Sequence, residues 1–362
     1  MPKEIEALQD SILTYPGQLN SYVNINAAYG YMGQVERALP FAQKAVELQP
    51  EEATSSGDLV AGYVALGRMA DARQEMERAR RLGLDTSTDA AQIHLYAYFL
   101  MGESQEVQRI VAEVAGRPDE FLVTEALAIT QQFSGRYRQA AATFEQAFEQ
   151  AGRAKAPDVQ AGILLLDAAG RGLAGLCDGN EAEVQRALAL DKSKQTQESA
   201  LLAAAVCGNG KLVLPMAQQL GVKFPEDTLL QDVYVPLAQA FVALAEGQQQ
   251  QAVAYAAPAK PYDVIYPGSY VQGMAYLKLQ DASHAASAFQ AALRSRGSCF
   301  VVAVAAIPPS YAQAQLGLAR AYAMAGDKAN AKKAYEAFLL TWKDADPDLP
   351  MLVAGKKEYA AL

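Results

Sequence analysis

Four glycines constrain what this chain can become. Gly33, Gly67, Gly102 and Gly135 follow one another at intervals of 34, 35 and 33 residues, and each separates two apolar-periodic stretches. Leu19–Pro50 shows the unit most clearly. Tyr22, Ile25, Asn26 and Tyr29 are spaced three and four apart, so they share one helical face. After Gly33, the residues Ala38, Phe41, Ala45 and Leu48 share a face of a second helix, which Pro50 stops. Tyr29, Tyr63 and Tyr98 keep the same beat, as do Ala38, Ala72 and Ala140. A helix pair of this size cannot bury its apolar face alone. It has to stack on its neighbours, and the chain becomes an array.

Small residues at Ala38 and Ala45, which let the paired helices approach, and aromatics between successive pairs resemble the tetratricopeptide repeat over the whole length. The fold that this implies is an all-α, right-handed superhelical solenoid of about nine helix pairs with a C-terminal capping helix. Residues 1–362 then form a single solenoid, with a half repeat at 4–18, regular repeats at 19–152, divergent repeats at 153–340 and a cap at 341–362. Glu4–Thr14 reads as the second helix of a repeat whose first helix is missing, with Pro16 where Pro50 stands one unit later, so a parent chain continuing upstream is expected. In the divergent part, Pro236 is expected to kink the helix Asp227–Ala245. Pro258–Gly268 reads as a stiff proline-rich connection, Gly297–Pro309 as an apolar loop that interrupts the array, and Met351–Leu362 as the cap.

Composition narrows the function classes. Hydrophobic residues make up 51% and supply a continuous core, while 31 basic against 40 acidic residues leave a net charge of −9. That balance opposes nucleic-acid or anionic-membrane binding by bulk electrostatics. No apolar run reaches bilayer length, and MPKEIEALQDSIL lacks the apolar core of a signal peptide. The three cysteines, Cys177, Cys207 and Cys299, have no metal-ligand spacing and read as free buried thiols. The compartment stays open between cytoplasmic and extracytoplasmic.

Three motifs have a chemical and a structural reading. Gly170–Gly175 fits GxGxxG, but a dinucleotide site needs a strand before it and a helix starting at it; here the glycines lie along a packed helix, where they allow close approach. Asp344, Asp346 and Asp348 resemble a calcium loop, yet the sixth and twelfth positions hold Leu349 and Gly355, so the stretch reads as a solvated connection. His94 and His284 lie in distant units, and His94 takes a packing position. No nucleophile, base and orienting group converge in the pattern, so no catalytic, metal or cofactor residues are assigned. The remaining candidate is the concave face lined by first helices. Tyr31, then Gln92, Tyr96 and Phe99, then Glu125, Ile129 and Phe133 are expected there, aromatic and apolar anchors for an extended or helical peptide. Val23 and Ala27 replace the lysine and asparagine of the chaperone-tail-binding arrays.

A narrower resemblance covers most of the chain. QLGLARAYAMAGDKANAKKAYEAFLLTWKDADPDLPMLVAGKKEYAAL at Gln315–Leu362 is similar to the closing segment of the repeat regions of bacterial eukaryotic-type serine/threonine protein kinases. The similarity extends back through Pro225–Leu244 and Tyr266–Leu279 and departs at Lys211–Pro215 and Ser298–Ile307. It implies a non-catalytic interaction or sensor module downstream of a kinase domain. Its partner would be a protein or peptide in the groove, with homodimerisation as an added arrangement. A free-standing scaffold, or the effector region of a DNA-binding regulator, is the alternative.

Overall fold

Each repeat begins as a helix that stops because its apolar period runs into a residue suited to left-handed backbone. Gly33, Gly67, Gly102 and Gly135 all adopt φ between +68° and +80°, and Gly175, Gly208, Gly247 and Gly326 do the same in the divergent half. Gln280 holds that place in one unit, with φ of 60°. A left-handed residue satisfies the last carbonyls of one helix and turns the chain into the next. The following helix is often started by a side-chain cap, as at Asn209, Asp281 and Asp327, which accept from the backbone N–H of Leu212, His284 and Asn330.

The computed structural model describes residues 2–262, 267–294, 296–297, 300 and 310–362. Among them are twenty α-helices: α1 (Pro2–Thr14), nine helix pairs and a final α20 (Pro350–Ala360). The pairs are α2 (Leu19–Tyr31) with α3 (Val35–Leu48), α4 (Ala53–Ala65) with α5 (Met69–Leu82), α6 (Thr88–Met101) with α7 (Ser104–Val114), and α8 (Phe121–Phe133) with α9 (Tyr137–Arg153). They continue as α10 (Pro157–Leu173) with α11 (Asn180–Leu190), α12 (Lys194–Ala205) with α13 (Gly210–Lys223), α14 (Val235–Ala245) with α15 (Gln249–Ala256), α16 (Gly268–Lys278) with α17 (Ala282–Ala292), and α18 (Ser310–Met324) with α19 (Lys328–Thr341). The expected count of pairs and the capping helix are both present.

Ala38, Ala45, Ala72, Ala140 and Ala147 are fully or nearly fully buried, the close contacts that the repeat requires. Ile5, Leu8 and Ile12 of α1 pack on Ile25 and Tyr29 of α2, as a second helix packs on the next first helix. Ala38→Arg is expected to abolish the native circular-dichroism signal or cut the melting temperature of the first repeats sharply, because a cation cannot be hydrated in that contact. Before α14 the helix passes through a π-turn at Leu230–Tyr234, with Pro236 in the first turn that follows. Proline lacks the N–H for the regular ladder, and the wider turn absorbs the mismatch. Part of the proline-rich connection is a 3₁₀-helix at Ala257–Tyr262, whose Tyr262 hydroxyl donates to Asp232 in the π-turn (3.2 Å). Residues 263–266 and most of the expected apolar loop Gly297–Pro309 lie outside the described residues.

The chain forms two compact units, residues 1–126 with 295–306 and residues 127–294 with 307–362, the boundary falling within α8. In the second unit the first helices α10, α12, α14, α16 and α18 pack in succession, and α18 also reaches α10. The segment after α19 then docks on the turn between α8 and α9. Trp342, 1% exposed, donates its indole N–H to the carbonyl of Phe133 (3.1 Å), the Asp346 N–H donates to the carbonyl of Gly135 (3.0 Å), and the Arg138 N–H donates to the Asp346 carboxylate (3.0 Å). Arg138 also pairs with Asp348. WKDADPDLP is exposed at Lys343, Asp344, Pro347 and Asp348, as expected of a solvated connection, and that expectation is corrected only at Trp342, Asp346 and Leu349, which are buried or half-buried.

A second correction concerns sulfur. Cys177 and Cys207, in the turns that follow α10 and α12, are joined in a disulfide across 30 residues, so two of the three cysteines are not free thiols. The odd count concealed the bridge, because pairing any two of three cysteines leaves one over; Cys299 lies outside the described residues.

Candidate functional site

The first helices of the opening repeats leave a pocket of about 150 Å³ between α2 and α4. Its walls are made by small residues, Ala27, Gly30, Ala38, Ala61 and Gly62, so the helices touch while space remains above them. Tyr31 stands at its edge, 41% exposed, at the last position of α2. Two polar groups face the space, Asn26 and Asp58. Asp58 is the only charged residue of α4, in the run ATSSGDLVAGYVA. Burial pushes its carboxyl up to about 6, opposed by a hydrogen bond from Asn26 and reinforced by the nearby Glu52 carboxylate.

This raised value makes a signed statement about stability. The folded state holds the Asp58 proton more tightly than the unfolded chain does, so its contribution is complete below about pH 4 and is lost as the pH rises towards 6. Asp58→Asn removes that loss. The variant is expected to exceed the wild type by roughly 2 kcal/mol at pH 7.5 and to match it near pH 4, as read by chemical denaturation. Equal gaps at both pH values would assign the effect to packing instead.

The other residues expected on the concave face divide between covered and partly open positions. Gln92 donates its amide to the carbonyl of Leu122 (3.2 Å). Tyr96 is buried and Phe99 half-buried, and the Phe300 ring lies on both, with centroids 5.2 and 5.7 Å away. Gly297, from the same segment, lies against the backbone of Val64 and Ala65, where any added Cβ would collide. A piece of this chain thus rests on the first helices at the place where a peptide was expected. Glu125, half-buried and the only charge on α8, has its carboxyl pushed up to about 7 by burial. Ile129 is buried, and Phe133, 1% exposed, stacks on Tyr311 at 5.7 Å. Tyr31 alone among these seven is exposed.

The glycine motif is helical. Gly170 and Gly172 lie inside α10, and Gly175 follows it in left-handed backbone. A phosphate would require the glycines at a helix N-terminus, where free N–H groups converge. Here an added Cβ on Gly172 would meet Val206 at 2.5 Å, and one on Gly170 would strike Gln132. Close packing accounts for both. Gln132 in turn donates to Asp167 (2.7 Å), which also accepts from Arg171 (2.9 Å), and Arg171 pairs with Glu183. This chain of groups, buried at Gln132 and Asp167 and half-buried at Arg171 and Glu183, is closed by its own charges. His94 is held neutral, its value lowered to about 4 by burial. Among the described residues no cluster of His, Cys, Asp and Glu has the arrangement for a metal ion, and no helix is long and apolar enough to cross a membrane.

The sequence pattern does not single out this pocket, because Asn26 lies on the helical face that also carries Tyr22, Ile25 and Tyr29, and Asp58 belongs to no motif. A lone charge in an apolar first helix was the available signal.

No protein-family profile matches the chain, and no curated protein matches it. Similar solved structures are yeast Tom70, at 12% identity over 99% of this chain and 91% of that one, with a TM-score of 0.42. The human IFIT1 dimer with m7Gppp-AAAA is similar at 15% identity over 99% and 84%, with a TM-score of 0.48. The APC/C hetero-tetramer Cut9–Hcn1 is similar at 14% identity over 97% and 91%, with a TM-score of 0.40. The helix pairs themselves, with their left-handed turn residues and buried alanines, make this an all-α array of tetratricopeptide type.

Proposed function

We propose that the chain is a non-catalytic module that binds a protein or peptide on the first helices of its opening repeats. The observation that supports this most is the open pocket between α2 and α4, with Tyr31 exposed at its rim. The other six candidates, Gln92, Tyr96, Phe99, Glu125, Ile129 and Phe133, are buried or half-buried, so the peptide-accessible part of the face is centred on Tyr31. An exposed aromatic beside a concavity is a common anchor for a partner.

The finer reading is that the array is the interaction or sensor arm of a longer chain with a serine/threonine kinase domain upstream. The similarity of Gln315–Leu362 and WKDADPDLP to such regions supports it. The Cys177–Cys207 bridge favours an oxidising compartment, which suits a sensor arm outside the cytoplasm. A free-standing scaffold shares the binding surface and differs only in what is attached.

The test is selection of random dodecapeptides on the purified chain, compared with Tyr31→Ala. A recurrent motif whose affinity falls about tenfold or more in the variant supports the reading. Absence of any enriched motif, or enrichment indifferent to Tyr31, overturns it.

A further inference from the structure

The geometry points to the α2–α4 pocket as the seat of a basic side chain, a lysine or arginine of the bound peptide, with its cationic head on the Asp58 carboxylate and its stem along Ala27, Ala61 and Tyr31. This rests on the reading of the chain as a peptide-binding array and names what the array selects.

Asp58 stands in a pocket whose other walls are uncharged. From α2 it faces Asn26 and the phenol of Tyr31, and from α3 only Val35 and Ala38. The charge at the start of its own helix is a second carboxylate, Glu52, occupied in capping the N–H groups of Thr54 and Ser55. On α5, Glu75 is turned away to Ser56 and Arg78, and from α6 the side chain of Ile93 lies over Gly57. The nearby arginines are committed elsewhere, Arg37 to Tyr29 and Gln34, and Arg68 to Asp71 and the Tyr63 ring. No ion pair to Asp58 exists among the described residues.

A half-buried carboxylate without a cation is costly, and the cost is relieved when a cation arrives. Small residues on the walls leave room for an aliphatic stem, and the exposed ring of Tyr31 offers a face to a cation. The net charge of −9 adds long-range attraction for basic peptides. Because burial holds the Asp58 carboxyl near 6, entry of a cation displaces its proton. Peptide binding is therefore expected to release protons at pH 6, and to strengthen as the pH rises from 5 to 7.5.

The experiment is the dodecapeptide selection repeated in parallel on wild type, Asp58→Asn and Tyr31→Ala, with folding of each variant verified by circular dichroism. A recovered peptide is then titrated calorimetrically beside its analogue with norleucine in place of the basic residue. The proposal expects a fixed lysine or arginine in the wild-type motif, absent from the Asp58→Asn motif. It also expects a loss of about 10- to 100-fold on norleucine replacement that shrinks in Asp58→Asn. A Tyr31-dependent motif without a basic position, or one equally basic in Asp58→Asn, overturns this proposal and leaves the peptide-binding reading standing. No enriched motif on the wild type overturns both. Should Asp58→Asn fail to fold, the wild-type motif and the proton release measured in buffers of different ionisation enthalpy decide alone. A motif without a basic residue, or binding without proton release at pH 6, sinks the proposal.

Discussion

Trp342→Ala is expected to destabilise the second unit by about 3–5 kcal/mol, the range for removing a large buried aromatic. The side chain is 1% exposed and packs on Phe338 and Tyr137, with ring centroids 5.1 and 6.2 Å away. Its indole also satisfies the Phe133 carbonyl, at a helix end where no intrahelical donor exists. In a plain array each contact joins neighbours, whereas this one links residues 209 apart in sequence. Its removal therefore releases the last repeats from the fourth rather than loosening one pair. The melting temperature of the second unit is expected to fall by roughly 6–20 °C. Hydrogen exchange should rise at 128–140 and 342–349 while α2 to α5 keep their protection. Unchanged melting would show that the closing segment is held by its aspartates and Leu349, with the indole incidental.

Replacing both bridged cysteines, Cys177→Ser with Cys207→Ser, is expected to cost about 3–4 kcal/mol by the loop-entropy argument for a 30-residue separation. Two turns that follow consecutive first helices are tied side by side, and unfolding of either pair with the bridge intact leaves a smaller gain in chain freedom. Reduction of the wild type should reproduce the loss, and reductant should leave the serine variant unaffected. Alkylation of the unfolded, unreduced protein should label one of its three cysteines, and all three after reduction. Three labels without reduction would return the pair to the free thiols that their odd count suggested.

The repeats were legible because their determinants are local. The left-handed turn at Gly33 and the small residues at Ala38 and Ala45 act within one helix pair, and each recurs at nearly constant spacing. Gly175, Gly208, Gly247 and Gly326 continue the same turn chemistry. Their spacing drifts as α10 lengthens to seventeen residues and the π-turn at Leu230–Tyr234 inserts extra chain, so the period faded while the mechanism persisted. The capping helix nevertheless came within two residues of expectation, Met351–Leu362 against the observed Pro350–Ala360.

What the residues of one unit cannot encode is which distant segment will cover them. Phe133 and Tyr96 read equally well as groove anchors or as core. Tyr311 and Phe300, far along the chain, cover them. Asp346 reads as a solvated charge until Gly135 and Arg138 are beside it. Asp58 belongs to no sequence motif, and only the packing of Ala27, Gly30 and Gly62 leaves it facing a pocket. By itself, then, the sequence determined the helix pairs, their turns and their order, because hydrogen bonds and apolar period within some 34 residues suffice for those. Only the tertiary structure decided which aromatics are buried, which cysteines are joined and which residues line the α2–α4 pocket, because burial and pairing depend on contacts between different helix pairs, some of them far apart in the sequence.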